Sequence, residues 1–210
     1  HEKKNQSIIP FFNFKTQGKN IKPCNTGNLL IADQIPPRYV ESLSNTYQGP
    51  QNILFLDKKI KFLKKLKKKI LSKTFIKNKN IYDNKIFERT LYARANIKVN
   101  YTSGNFYEKL KKSRILVLNS NQTTFLEALN LNFPTVIYSN TKFEEIRDSV
   151  KPYYKILKDS KIFFEDSLKA ASHINNVWDD VDVWWQSQKV QRTVDIFCKK
   201  FSKRSTNFKL

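Results

Sequence analysis

Apolar residues along this chain fall into two patterns, short unbroken runs and three- or four-residue steps, and the two patterns take turns. The runs are NLLIAD from 28, KTFIK from 73, NIKVN from 96, RILVL from 114, PTVIY from 134 and KIFF from 161; each reads as a strand. The stepped stretches between them predict helices: one carrying Ile53, Leu56, Ile60, Leu63, Leu66 and Ile70, then Asn84 to Tyr92, Phe106 to Lys111, Thr124 to Leu131, Phe143 to Val150 and Leu168 to Val177. Between the first strand and the first helix lies QIPPRYVESLSNTYQGPQN, where the Pro36-Pro37 pair rules out regular structure.

Strands separated by short helices are the sequence sign of repeated βαβ units, hence of a parallel sheet covered on both faces. RILVL and PTVIY show no polar alternation, as strands buried on both sides require. The predicted class is α/β, a Rossmann-like doubly wound parallel sheet spanning 28–178. A polar, Asn- and Lys-rich stretch over 1–27 reads as a linker, and 179–210 as a long C-terminal helix, from roughly Val181 to Lys203.

Composition bounds this picture. With 210 residues and 40% hydrophobic content, the chain can fill one core. It holds no Met and begins at His1, which leads us to expect a fragment that lacks its N-terminal part. No apolar run approaches the roughly 20 residues that span a bilayer, and no signal-peptide pattern opens the chain, so a soluble, cytoplasmic protein is expected. Cys24 and Cys198 lie far apart, without metal-ligand spacing or a histidine cluster, and read as free thiols. His173, in KAASHINNVW, reads as a helix residue and stays outside the site.

The formal net charge of +21 comes almost wholly from lysines spread along the chain, accompanied by many Asn and Ile, a coding-composition bias. The densest run, DKKIKFLKKLKKKIL at 57–71, predicts an amphipathic helix with a lysine-covered outer face. That face is either simply solvated or drawn to acidic lipid headgroups, where each clustered lysine contributes roughly 1 kcal/mol. No nucleic-acid module accompanies the charge, and the aromatics are not interleaved with Arg as a base-stacking platform requires, so nucleic acid is not an expected partner.

Candidate chemistry centres on NSNQTT at 119–124, a polar junction between RILVL and the next helix. In a doubly wound sheet ligands lie at the carboxyl ends of the strands, where loops pass into helix N-termini. The first helical N–H groups lack partners there and the dipole presents about half a positive charge, so a phosphate is favoured. A competing reading is purely local: Thr124-Phe125-Leu126-Glu127 fits the S/T-x-x-E capping box, which would commit the Glu127 carboxylate to the Thr124 amide.

The strand, polar loop, TTFLEAL, short turn and NFPTVIY together resemble the C-terminal, donor-binding domain of GT-B glycosyltransferases. More narrowly, PRY at 37–39, FYEKLKKSRILVLN, TTFLEALNLNFPTVIY, PYYKILKDSKIFF, AASHINNVWDDVDVWW and FCKKF resemble a family of transferases associated with O-antigen and other surface polysaccharides, over roughly 28–202. The resemblance implies that Thr123 and Thr124 face the diphosphate of a nucleotide sugar, that Ser120 and Asn121 line the same loop, and that Glu127 accepts from the ribose hydroxyls. It also implies cations against the leaving diphosphate at Arg38 and Lys77; lysine at 77, where the family pattern favours arginine, supplies a point charge instead of a bidentate fork.

On that reading the nucleotide sugar is a substrate, no cofactor or metal is required, and the acceptor is a glycan or lipid-linked chain met in the cytoplasm or at the inner membrane face. GT-B enzymes usually place the acceptor's general base in the N-terminal half, so a fragment without that half would be inactive. Asp179, Asp180 and Asp182 in WDDVDVWW read as charges suited to a helix start, with Trp184 and Trp185 as packing anchors, and not as metal ligands. A nucleotide-sugar epimerase would need acid and base groups that the chain does not offer. The alternative function is a non-catalytic Rossmann-like module that binds an anionic glycan or membrane surface through its lysines.

Overall fold

A computed structural model describes residues 20–32, 49–77, 86–121, 123–139 and 146–202. Along the chain run β1 (Asn28–Ala32), α1 (Gly49–Lys65), α2 (Lys68–Leu71), β2 (Thr74–Lys77), α3 (Ile86–Arg94), β3 (Asn100–Thr102), α4 (Phe106–Lys111), β4 (Ser113–Leu118) and α5 (Thr123–Asn130). There follow β5 (Thr135–Tyr138), a 3-10 turn at Asp148–Val150, α6 (Lys151–Asp159), β6 (Phe163–Phe164), α7 (Ser167–Val177), α8 (Val181–Trp185) and α9 (Gln188–Phe201). The strands make one sheet in the order β3-β2-β1-β4-β5-β6, and every neighbouring pair is parallel. This is the doubly wound Rossmann-like architecture expected.

The central strands form because their side chains find apolar cover on both faces. Leu29 and Ile31 of β1 and Ile115, Leu116 and Val117 of β4 are fully buried, each burial contributing about 1.5–3 kcal/mol. On one face α1 packs beside α3 through the Lys59 to Glu88 ion pair and beside α7 through the Asn175 side chain, which meets the Lys65 carbonyl. On the other, α4 meets α5 through Tyr107 and Glu127, and α9 lies over α5 and α6, Phe197 touching the rings of Phe125 and Tyr154.

Three helices end in the same way, with two asparagines and a lysine doing the work usually given to glycine. Asn96, Asn132 and Lys161 have φ of 54°, 51° and 60°. After each, a buried residue closes the turn by donating back five positions: Ile97 to Tyr92, Phe133 to Ala128 and Ile162 to Leu157, at 2.8–3.0 Å. These are Schellman motifs with an apolar follower, which satisfy the last carbonyls and aim the chain into the next strand.

Several elements differ from expectation for reasons that lie outside their own sequence. The helix predicted through 53–71 is broken at Leu66 and Lys67, because the Asn175 side chain of α7 enters the ladder: its Nδ2 donates to the Lys65 carbonyl (2.8 Å) and its Oδ1 accepts from the Lys67 amide (2.9 Å). Ile53, expected on the core face, is 63% exposed, whereas Lys59 is buried. The single C-terminal helix is also two, since Ser187 interrupts it, donating to the Trp184 carbonyl (2.7 Å) and capping the Val190 amide.

The strand predicted at NIKVN starts only at Asn100. Of the helix predicted over 143–150, the described residues hold a 3-10 turn; the helix proper is α6, with Pro152 in its first turn, where a missing N–H is harmless. Residues 20–27, within the predicted linker, are joined to the body: the Ile21 amide donates to the Leu131 carbonyl (3.1 Å) and the Cys24 amide to that of Ser113 (2.9 Å).

Candidate donor-binding crevice

The strand order reverses direction between β1 and β4, so the loops leaving their carboxyl ends diverge to opposite faces and open a crevice. Register fixes its floor, with Ala32 opposite both Leu118 and Lys77. The loop after Leu118 is the polar junction NSNQTT, and the structure divides it. Asn119 is fully buried and Ser120 nearly so, beneath the surface of the crevice. Asn121 and Thr123 are exposed above them, and Thr124 is half-buried. Phe125, Ala128 and Leu129 turn α5 onto the core, leaving Thr123, Thr124 and Glu127 along its flank.

Helix α5 begins at Thr123, two residues before the start that a capping box on Thr124 demands. Thr124 therefore sits inside the first turn instead of capping it. The Glu127 carboxylate reaches across to the neighbouring helix, where the Tyr107 hydroxyl donates to its Oε2 at 3.3 Å. Tyr107 is available because α4 also starts at the carboxyl edge, its first turn fixed by Asn105, whose side chain accepts from the Tyr107 and Glu108 amides (2.9 and 3.3 Å). Sequence reasoning gave Tyr107 no role; the usable signal was the Asn105 cap, which fixes the edge at which FYEKLK begins.

Lys77 closes β2 at the same edge, two strands from Leu118 and thus roughly 10 Å away across the sheet. Burial lowers the pKa of its ammonium, and the charge of Lys109 on α4 lowers it further. Among the described residues no carboxylate is ion-paired with either lysine. Two neighbouring lysines of like charge, one of them partly desolvated, favour an anion between them. Lys109 was not among the expected residues. Arg38 and Gln122 lie outside the described residues.

His173 is not part of this site. It is packed between Phe164 and Trp184 (centroids 5.5 and 4.7 Å), and burial, helped by the charge of Lys161, lowers its pKa to about 4. In WDDVDVWW, Asp179 is ion-paired with Lys69 (2.6 Å), while Asp180 and Asp182 flank the start of α8. Two cavities of about 410 and 390 Å³ lie elsewhere, one at the amino ends of β1 and β2 beside Cys24 and Lys73, the other against α3 beside Arg89 and Tyr101.

The model of the LIC12162 family transferases matches residues 1–210, the whole chain. The chain belongs to the LIC12162 family of transferases. Among solved structures, this LIC12162 family chain is similar to the catalytic domain of cholesterol-alpha-glucosyltransferase from Helicobacter pylori. The two share 18% identity at a TM-score of 0.41, over 81% of this chain and 95% of that one. No curated protein matches the LIC12162 family chain.

Proposed function

We propose that this domain binds the nucleotide-sugar donor of a glycosyl transfer that serves surface-polysaccharide synthesis. The observation that carries the reading is the convergence of α4 and α5 at the switch point, where the Tyr107 hydroxyl orients the Glu127 carboxylate one turn inside a helix whose first residue, Thr123, is exposed. The diphosphate would lie against the amides of Thr123 and Thr124, with Asn121 beside it and Ser120 as buried support. Glu127 would accept from the two ribose hydroxyls, and each such bond to a charged acceptor contributes about 1.5–3 kcal/mol.

Glycosyl transfer requires a nucleoside diphosphate to leave. The growing negative charge would be met by the α5 dipole and by Lys77, with Arg38 completing the set, so this route calls for no metal. The acceptor hydroxyl must also lose a proton to a general base. His173 does not supply it, since its ring is enclosed by Phe164 and Trp184. We assign the base to the acceptor-binding half that GT-B enzymes place opposite such a domain.

The test is a thermal-shift series on the full chain with nucleoside diphosphates and nucleotide sugars, repeated for Glu127→Ala and Tyr107→Phe. At least one nucleotide should raise Tm, at a concentration about tenfold higher or more for Glu127→Ala and about threefold to fivefold higher for Tyr107→Phe. If no nucleotide shifts the parent, or if Glu127→Ala responds like the parent, this assignment of the crevice is wrong.

A further inference from the structure

Helix α1 presents two faces of opposite character. Lys59, Phe62 and Leu63 turn inward and are buried. One hundred degrees per residue then places Ile53, Leu54, Asp57, Lys61, Lys64 and Lys65 on the outward side. Ile53 is 63% exposed and Leu54 48% exposed, and Lys64, Lys65 and, on α2, Lys68 are exposed as well. Lys61 is neutralised by Asp57 (2.7 Å), but among the described residues no carboxylate is ion-paired with Lys64, Lys65 or Lys68. The outward face is therefore an aliphatic tip on a cationic shaft.

We propose that this face docks on an anionic lipid bilayer, with Ile53 and Leu54 entering the headgroup boundary and Lys64, Lys65 and Lys68 lying against the acidic headgroups. Charge complementarity selects an anionic partner, and the aliphatic tip selects lipid among anionic partners. Ile and Leu side chains gain by leaving water for the acyl boundary, whereas a nucleic-acid surface would want arginines and stacking rings, and this face holds neither. Because α1 follows β1, its Ile53 end lies on the side of the crevice. If the donor-site reading above holds, docking there would bring a lipid-linked acceptor to the same edge of the sheet; the docking itself does not depend on that reading.

Co-sedimentation of the full chain with vesicles separates the outcomes. In about 0.1 M salt the parent should sediment with phosphatidylcholine vesicles containing a quarter phosphatidylglycerol and stay in solution with phosphatidylcholine alone. Lys64→Glu with Lys65→Glu and Lys68→Glu should weaken binding by about a hundredfold or more, from a factor of about five for each lysine. Ile53→Ser with Leu54→Ser, which leaves the charge unchanged, should weaken it about tenfold. Unchanged melting temperatures would show that both variants fold.

Binding that survives the lysine reversals, or no binding to the acidic vesicles at all, would overturn the proposal. A serine variant that binds acidic vesicles and a soluble polyanion such as heparin as tightly as the parent would reduce the face to a polyanion surface, which overturns it equally. A donor-site failure would appear in the nucleotide series alone.

Discussion

Trp185→Ala tests whether the WDDVDVWW segment closes the domain or merely follows it. The Trp185 ring is fully buried, with Nε1 donating to the Asn132 carbonyl at 2.9 Å, and Asn132 is the left-handed residue of the turn between α5 and β5. The Gln191 side chain of α9 binds the same turn twice, accepting from the Asn132 Nδ2 (3.0 Å) and donating to its Oδ1 (3.3 Å), and its Nε2 also meets the Trp185 carbonyl (2.7 Å). Removing a buried indole costs about 3–5 kcal/mol in transfer and cavity terms. For a chain of this size each kcal/mol moves Tm by about 2–4 °C, so thermal unfolding followed by circular dichroism should show a fall of about 6–20 °C.

Trp185→Phe keeps most of the apolar volume but strands the Asn132 carbonyl, and should fall by about a third as much. The ring is thus expected to contribute more than the hydrogen bond. Melting of the alanine variant within about 2 °C of the parent would show that the segment is an appendage, and the clamp would be refuted.

Two further expectations concern buried charge. Lys59 and Glu88 form a 2.9 Å ion pair with side chains only 3% and 16% exposed, so Glu88→Leu alone should cost about 3–5 kcal/mol in urea unfolding while Lys59→Met with Glu88→Leu restores most of it; a single variant within 0.5 kcal/mol of the parent would contradict the pairing. His173, its pKa lowered to about 4 by burial and then by Lys161, is more easily protonated once unfolded. The stability of its neutral state is therefore complete above about pH 6.5 and lost as pH falls towards 4, a loss of up to roughly 3 kcal/mol. His173→Phe should flatten the melting temperature across that window, and parallel pH curves for parent and variant would refute the attribution.

What could be read from sequence was local, and what could not was set by partners far along the chain. RILVL and PTVIY were legible because strands covered on both faces carry no alternation, and α4 falls on its predicted limits because Asn105 caps it. The breaks at Lys67 and Ser187 were not. Nothing in KKLKKK announces Asn175, 108 positions later, as the group that enters the helix, and the 57–71 run offers no sign that Lys59 is buried against a carboxylate 29 positions on. Strand order was equally hidden. Alternating strands and helices require a covered parallel sheet, but only the pairing of β1 with both β2 and β4 places the switch point, and with it the crevice.

The same distinction explains the polar junction. As sequence, NSNQTT is one cluster, and capping and phosphate binding compete for all of it. Folded, it has two layers: Asn119 and Ser120 are buried where β4 ends, while Asn121 and Thr123 face outward at the start of α5. Thr124, the residue the capping reading favoured, belongs to the helical turn between them. Buried polar side chains are held to their surroundings and cannot open to a ligand without loss, so only the outer layer, together with Glu127, has chemistry to offer. On the proposed donor-site reading, the two layers therefore make opposite demands on mutation: changes at Asn119 and Ser120 should lower Tm, whereas changes at Asn121 and Thr123 should leave Tm unchanged and weaken nucleotide binding.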